Sequence, residues 1–189
     1  MTVTTDKPLR ADALRNRARI IEAARELIRE KGLDAISMDE VAKRAGVGPG
    51  TLYRHFATKD ELYDAAIQAW AETVNARADE ALASSTEDRE RLLAWLRAYV
   101  SLLTAHKGAA ARITASLGDS GSAYATKCTT YLNANQRIIA GLDTIRPSVD
   151  AMQMCRVVGG VAAVADQSEL SAEAIEPLIT VLADGFLEA

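Results

Sequence analysis

Apolar residues recur every three or four positions along most of the chain, which is the spacing of amphipathic helices. The pattern starts near residue 11 and runs to residue 31, with charged residues between the apolar ones. The apolar positions are Leu14, Ala18, Ile20, Ile21, Ala24, Leu27 and Ile28. We therefore predict a first helix over residues 11–31, a flexible tail over residues 1–9, and a left-handed C-terminal cap at Gly32.

Two short helices are predicted next. The sequence SMDE (residues 37–40) is a capping box that starts a helix over residues 38–45. Gly46 ends that helix, and Pro49 suits the first turn of another, predicted over residues 50–56. Two short helices joined by a tight glycine-containing turn form a helix-turn-helix. The predicted inward face contains Ile36, Met38, Val41, Ala42, Ala45, Val47, Leu52 and Phe56.

The remainder of the chain also has helical periodicity. The sequence TKDE (residues 58–61) is a second capping box that opens a longer helix. Polar breaks then separate predicted helices at about 60–83, 87–106, 108–117, 121–142, 148–166 and 172–188. We therefore expect an all-α protein of about nine helices, with a helix-turn-helix domain over residues 10–58 and a larger helical domain over residues 59–189.

Charge is distributed unevenly between the two parts. The chain of 189 residues has a formal net charge of −4. Residues 1–59 contain 12 Lys and Arg against 8 Asp and Glu, and residues 60–189 contain 10 against 18, so the two parts carry +4 and −8. No carboxylate lies between Lys43 and Asp60. A basic segment on an acidic protein indicates a polyanionic partner at the basic end.

The second short helix carries side chains that suit such a partner. Its sequence, GPGTLYRHF (residues 48–56), combines a glycine-rich start with hydrogen-bond donors. A helix-turn-helix presents the start of its second helix to the DNA major groove, where hydroxyl, imidazole and guanidinium groups can donate to phosphates or base edges. The candidates are Thr51, Tyr53, Arg54, His55 and the following Lys59. The alternative is a solvated turn in which Tyr53 packs on its neighbours.

The sequence ISMDEVAKRAGVGPGTLYRHFATKDELYDA, with the preceding ARELIREKGLDA, resembles the DNA-binding segment of the TetR family of bacterial transcriptional regulators. The resemblance covers about residues 11–66. It implies an all-helical homodimer, an N-terminal three-helix DNA-binding domain, a C-terminal ligand domain, and a repressor that leaves DNA when a small molecule binds. The DNA-facing positions that it implies are Ser37, Gly48, Pro49, Gly50, Thr51, Tyr53, Arg54, His55 and Lys59, and we add Arg44.

The larger domain contains no comparable motif. Its middle helices carry large rings and a few polar groups, which suit a mostly apolar organic ligand. The candidate pocket residues are Trp70, Trp95, Tyr99, Leu102, Leu103, His106, Ile113, Leu117, Tyr124, Tyr131, Asn135 and Met152. A packed core without a ligand would give the same spacing, and His106 near a helix end also suits a protonated cap. Both alternatives stay open.

The last two predicted helices are apolar nearly all round. Such helices are buried, either in their own core or against a second copy of the chain. The family resemblance favours a four-helix bundle between two copies, which would make the DNA site a palindrome. The candidate interface residues are Val157, Val158, Val161, Val164, Ile175, Leu178, Ile179 and Leu182.

Other functional classes have little support in the sequence. Two histidines and two cysteines without ligand spacing predict no metal site, and no cofactor is expected. The run GDSGS (residues 118–122) resembles a serine-protease motif but lacks its all-β context, so we expect no catalytic residues and no enzymatic activity. A DNA-binding protein without a small-molecule ligand remains an alternative. The absence of a secretion signal and of about 18 consecutive apolar residues favours a cytoplasmic protein outside the membrane.

Overall fold

The computed structural model describes residues 6–31 and 35–188 of the chain. Within those residues it has nine α-helices and no strand beyond an isolated bridge between Ile145 and Leu187. The helices are α1 (Asp6–Lys31), α2 (Met38–Ala45), α3 (Pro49–His55), α4 (Lys59–Ala83), α5 (Asp88–Thr104), α6 (Ala109–Ala115), α7 (Ala125–Ala140), α8 (Ala151–Gln167) and α9 (Ala172–Phe186). The predicted all-α class with about nine helices is confirmed.

The first helix begins earlier than predicted. Residues 6–9, which we expected in a flexible tail, belong to α1, while residues 1–5 lie outside the described part of the chain. Pro8 is compatible with this early start because the first-turn amides of a helix have no partner within the helix. The predicted cap at Gly32 also lies outside the described residues.

The chain divides into two compact units, and the first ends at Trp70, inside α4. Its core is built by α1, α2, α3 and the first turns of α4. The buried residues are Ile20, Ile21, Ala23, Ala24, Leu27, Ile36, Val41, Ala42, Ala45, Leu52, Phe56, Leu62 and Ala66. Leu62 and Ala66 explain why this unit extends beyond residue 58, where we expected the domain to end. Leu14 and Ala18, two of the apolar positions whose spacing predicted this helix, are exposed, whereas Ile20, Ile21, Ala24 and Leu27 are buried.

Local capping determines where the helices of the first unit begin and end. The amide of Glu40 donates to Ser37 Oγ at 3.2 Å, and the amide of Ser37 donates to Glu40 Oε2 at 3.2 Å, so the predicted capping box is present. Gly46 ends α2 in the left-handed conformation with φ 64°, which glycine adopts without the Cβ penalty. At α4 the amide of Glu61 donates to Thr58 Oγ1, while the Glu61 carboxylate accepts from the amide of Ala57.

The second unit starts at Ala71, and α8 is its central helix. Helix α8 packs against α5, α6 and α7, and α9 packs against α5 and α8. Small buried residues on α8 allow these close approaches. A Cβ at Gly159 would lie 2.3 Å from Thr114 Oγ1 of α6, so this glycine is required where the two helices cross. None of the helices in the described residues is both long and apolar enough to cross a membrane.

Candidate nucleic-acid interface

Helix α3 has one buried side and one exposed side. Leu52 is fully buried in the core of the first unit, and Phe56 closes the helix with its amide donating to the Leu52 carbonyl at 2.9 Å. Predicted interface residues lie on the other side. Gly48, Pro49, Gly50, Tyr53 and Arg54 are exposed, and Thr51 and His55 are half-buried. Tyr53 is 50% exposed, which fits a DNA-facing side chain and equally the solvated turn of the alternative interpretation.

Arg54 is held in place by its own helix. Its Nε donates to the carbonyl of Gly50 at 3.1 Å, and its Nη2 donates to Thr51 Oγ1 at 3.1 Å. These bonds use some of the five N–H donors of the guanidinium and leave the others for a ligand. The guanidinium is therefore held against the first turn of α3 in a defined conformation.

Lys59 and Ser37 flank this surface. The Lys59 ammonium lies 5.1 Å from the centroid of the Tyr63 ring, at the first residue of α4. Ser37 is exposed at the start of α2, where its hydroxyl accepts the amide of Glu40. Ser37 therefore lies at the start of α2 and Lys59 at the start of α4, as the sequence predicts.

Arg44 departs from its predicted role. Its guanidinium forms two hydrogen bonds of 2.8 Å with the Glu30 carboxylate and a third of 3.2 Å with Glu26. The bond with Arg44 is the largest cause that lowers the pKa of Glu30, and the pKa of Arg44 is raised in turn. Arg44 therefore links α2 to α1, and we leave it out of the proposed DNA-contacting residues. Sequence spacing could not reveal these partners, since Glu30 and Glu26 lie 14 and 18 residues from Arg44.

Two arginines that the sequence analysis did not select lie beside this surface. The guanidinium carbon of Arg17 is 5.2 Å from the centroid of the Phe56 ring, and Arg19 Nη2 donates to the Gly46 carbonyl at 3.4 Å. Both residues are exposed on α1. Only the positive charge of this stretch was visible in the sequence. Its position next to the turn and the end of α3 depends on tertiary packing.

Several predicted pocket residues form a closed polar and aromatic cluster in the second unit. Trp95 Nε1 donates to Asn135 Oδ1 at 2.8 Å, and Asn135 Nδ2 donates to Cys155 Sγ at 3.2 Å. Tyr99 stacks between Trp95 and Tyr131, with centroid distances of 5.3 and 4.5 Å. Burial is the largest cause that raises the pKa of Tyr99 above its ordinary value. These residues pack on each other as a core rather than lining an open cavity.

The other predicted pocket residues fall into three groups. Leu103 and Ile113 are also buried in the core of the second unit. Leu102, His106, Leu117 and Tyr124 are half-buried, and Trp70 is half-buried within the first unit. Met152 lines an open groove of about 490 Å³ between α7 and the start of α8. Its other lining residues, which the sequence analysis missed, are Leu132, Gln136, Ile139, Ala140, Val149, Asp150 and Ala151.

Helices α8 and α9 expose an apolar surface, which we call the α8/α9 face. It contains Val157, Val164, Leu178 and Val181, which are 43%, 56%, 37% and 69% exposed, together with the half-buried Val161, Ile175 and Leu182. Val158 and Ile179 were predicted here but are 0% and 3% exposed, because they point into the core of the second unit. Val181 was missed, although it is one turn from Leu178.

No group of three or more His, Cys, Asp or Glu residues in the described ranges is placed to hold a metal ion. The surface of the first unit instead combines a helix-turn-helix, an exposed second helix and cationic side chains. These features define a helical DNA-binding protein.

Comparison with known proteins identifies the family. Residues 20–66 match the model of bacterial regulatory proteins of the tetR family, and residues 87–188 match the model of the SbtR-like C-terminal domain of transcriptional regulators. The chain belongs to the TetR family and is a DNA-binding transcriptional regulator.

Individual relatives agree with this assignment. The HTH-type transcriptional activator FasR of Mycolicibacterium smegmatis is 37% identical over 87 residues, which are 46% of this chain and 40% of FasR. The chain therefore aligns with less than half the length of that relative. The crystal structure of a TetR transcription regulatory protein from Mycobacterium vanbaalenii has a TM-score of 0.66 and 30% identity, and the match covers 96% of this chain and 100% of that one. Bacillus subtilis FadR in complex with stearoyl-CoA has a TM-score of 0.60 and 21% identity, covering 88% and 96% of the two chains.

Proposed function

We propose that this protein is a homodimeric repressor that binds a palindromic operator and is released from it by a small organic ligand. The proposed DNA-contacting residues are Ser37, Gly48, Pro49, Gly50, Thr51, Tyr53, Arg54, His55 and Lys59. The observation that carries this proposal is the exposed side of α3, where Arg54 is held in a defined conformation with no carboxylate of the described residues bonded to it. Gly48 and Pro49 would contact DNA through the backbone alone.

The α8/α9 face supports the dimer. Monomeric proteins rarely leave several neighbouring apolar side chains exposed, because their burial is favourable by about 25 cal/mol per Å². A second copy that applies the same face would cover them by two-fold symmetry. Two copies of the helix-turn-helix would then read two half-sites, which is why we expect a palindrome with half-sites about one to one-and-a-half turns apart.

Release by a ligand has a separate basis. FadR of Bacillus subtilis, which has the same fold, was solved in complex with stearoyl-CoA. In this chain the groove beside Met152, lined mostly by apolar side chains of α7 and α8, is a candidate position for an organic ligand. We accordingly assign DNA binding to residues 10–58 and both ligand binding and dimerisation to residues 59–189, and we place the regulator in the cytoplasm, where bacterial DNA is located.

A second candidate function is DNA binding without a small-molecule ligand. The packing of Trp95, Tyr99, Tyr131 and Asn135 favours it, because these predicted pocket residues are buried and contact one another. Ligand-dependent DNA affinity separates the two candidates.

The decisive experiment is selection of genomic fragments by the purified protein, followed by sequencing. The proposal predicts enrichment of a palindromic site and protection of that site by a dimer. It also predicts loss of binding when the small molecule on which the products of the neighbouring genes act is added. A reporter gene behind the site would be more active in a deletion strain if the protein represses. Lower reporter activity in that strain would make it an activator, as the name of FasR describes that relative. Absence of any enriched site would contradict operator binding.

A further inference from the structure

Residues 11–19 of α1 precede the core of the first unit. Among the α1 residues whose side chains the structure describes, 11–31, burial begins at Ile20. These nine helical residues span about 14 Å at 1.5 Å per residue. Among the residues whose side chains the structure describes, Arg15, Arg17 and Arg19 are all exposed. Exposed guanidinium groups of this kind suit a large anionic partner.

Arg17 and Arg19 contact the two ends of the segment that contains α3. Arg19 reaches the carbonyl of Gly46, where the turn begins, and Arg17 lies over Phe56, the residue that ends α3. Phe56 is followed within three residues by Lys59, so Arg17 stands close to the end of the proposed DNA surface where that lysine lies. The two guanidinium groups therefore border the recognition segment rather than a remote part of the unit.

The ion pairs along α1 distinguish this end of the helix. Further along, Arg25 pairs with Glu22, Lys31 pairs with Glu40, and Glu26 and Glu30 both bind Arg44. Near the start, Asp12 pairs with Arg15. Among the described residues no carboxylate pairs with Arg17 or Arg19, so their charge is not neutralised within the unit.

We propose that Arg17 and Arg19 form a second phosphate-binding surface, so that the DNA interface continues from α3 onto α1. This inference rests on the proposed function of α3. A guanidinium group binds phosphate oxygens through several N–H donors, and one bond to a carbonyl or one ring contact leaves most of those donors available. Contacts of this kind hold the protein in register on the duplex and carry no sequence information. The surface would therefore strengthen binding to every duplex equally.

The test measures DNA affinity as a function of salt by fluorescence anisotropy, with a duplex of random sequence about 30 base pairs long and with the selected operator. The variants are Arg17→Gln and Arg19→Gln, alone and together, in the full-length protein. The matched control is Arg29→Gln, which removes the same charge from an exposed position about 15 Å further along the same helix than Arg19. Thermal unfolding by circular dichroism verifies that each variant is folded.

We expect the slope of log K against log salt to decrease by about 0.9 for each phosphate that the variant no longer neutralises, while Arg29→Gln leaves the slope unchanged. Affinity for the random duplex and for the operator should fall by the same factor. Arg17→Lys should retain the slope because it retains the charge. If Arg17→Lys reduces the slope as much as Arg17→Gln does, Arg17 acts by packing on Phe56 and the proposal is wrong.

Two further outcomes would also overturn it. An unchanged slope in the double variant, with a wild type that binds DNA, would refute the α1 surface and leave the α3 interface intact. If the wild type sediments with phosphatidylglycerol vesicles, and the double variant does not but keeps its DNA affinity, Arg17 and Arg19 bind a membrane surface instead of DNA. A wild type that binds neither duplex would refute the proposed function itself and the α1 surface with it.

Discussion

The conformation of Arg54 leads to a quantitative prediction about Thr51. The Thr51 hydroxyl and the Gly50 carbonyl together hold the guanidinium before DNA is present. Thr51→Val removes one acceptor while preserving the shape of the side chain. Arg54 would then sample more rotamers in the free protein and lose more entropy when it binds. We predict that this substitution weakens operator binding although the first unit stays folded.

The size of the effect follows from the cost of ordering one long side chain. Immobilising a rotamer-rich side chain at an interface costs about 0.5–1.5 kcal/mol. Without the pre-ordering of Arg54, binding to one half-site should therefore weaken by about two- to twelve-fold. In the proposed dimer both half-sites are affected, so the expected decrease in binding free energy is about 1–3 kcal/mol.

A double-mutant cycle between Thr51→Val and Arg54→Gln tests this reasoning. If Thr51 orders Arg54, the effect of Thr51→Val should be smaller in the Arg54→Gln background, and the coupling energy measures the part of the effect that acts through Arg54. Fluorescence anisotropy at fixed salt measures the four affinities, and Thr51→Ser, which keeps the hydroxyl, should bind like the wild type. The part of the effect that persists in the Arg54→Gln background measures the proposed direct contact of Thr51 with DNA. A coupling energy of zero would mean that the bond to Thr51 does not order Arg54, and the reasoning would be wrong.

Three further predictions concern the second unit. Val181→Glu should weaken dimerisation by about 3–5 kcal/mol, because each copy would bury an unpaired charge. The control Ser101→Glu on α5 should leave dimerisation unchanged. Sedimentation equilibrium measures both, and an intact dimer of Val181→Glu would mean that the α8/α9 face is not the dimer interface. The free energy of unfolding of Gly159→Ala should be about 1–3 kcal/mol lower than that of Gly160→Ala, because a Cβ at residue 159 meets Thr114 whereas nothing lies within 4 Å of a Cβ at residue 160. Equal melting temperatures of the two variants would contradict the α6–α8 packing. Desolvation raises the pKa of Asp88, but hydrogen bonds from Thr144 and the amide of Asp143 lower it by more, so the folded-state pKa lies below the ordinary value. The carboxylate therefore stabilises the fold at pH values above its ordinary pKa. This stabilisation is lost as the pH falls through the lower folded-state pKa. Acidification from about pH 6 to about pH 3 should therefore cost the wild type more stability than Asp88→Asn, and parallel melting curves would refute this.

Local signals in the sequence were sufficient for the helices and for the core of the first unit. Ser37 and Glu40 form the predicted capping box, and the predicted inward residues of α2 and α3 are buried or half-buried. Such signals operate within a few residues and depend on backbone hydrogen bonds and periodicity. The exception is the start of α1, where Leu14 fits the apolar spacing that predicted the helix and is nevertheless exposed.

The tertiary packing of the helices could not be predicted from local sequence signals. Periodicity indicates that α8 and α9 are apolar, but not which face meets the core and which remains exposed. Val157 and Val158 are adjacent in sequence, and only the second is buried. The aromatic face of α5 had the same ambiguity between a ligand cavity and a core. Arg17, Arg19 and Arg44 show the limit for charges, because their partners are distant along the chain.

The burial of both cysteines offers a way to observe the second unit alone. Cys128 and Cys155 are the only cysteines of the chain, and they lie in α7 and α8 respectively. Burial raises the pKa of each thiol and also limits access to it, so we expect a thiol reagent to react mainly when this unit opens. The labelling rate therefore reports opening of the helices around Trp95 and Asn135, with no signal from the DNA-binding unit. A compound that slows labelling would be recognised as a ligand before any operator is known.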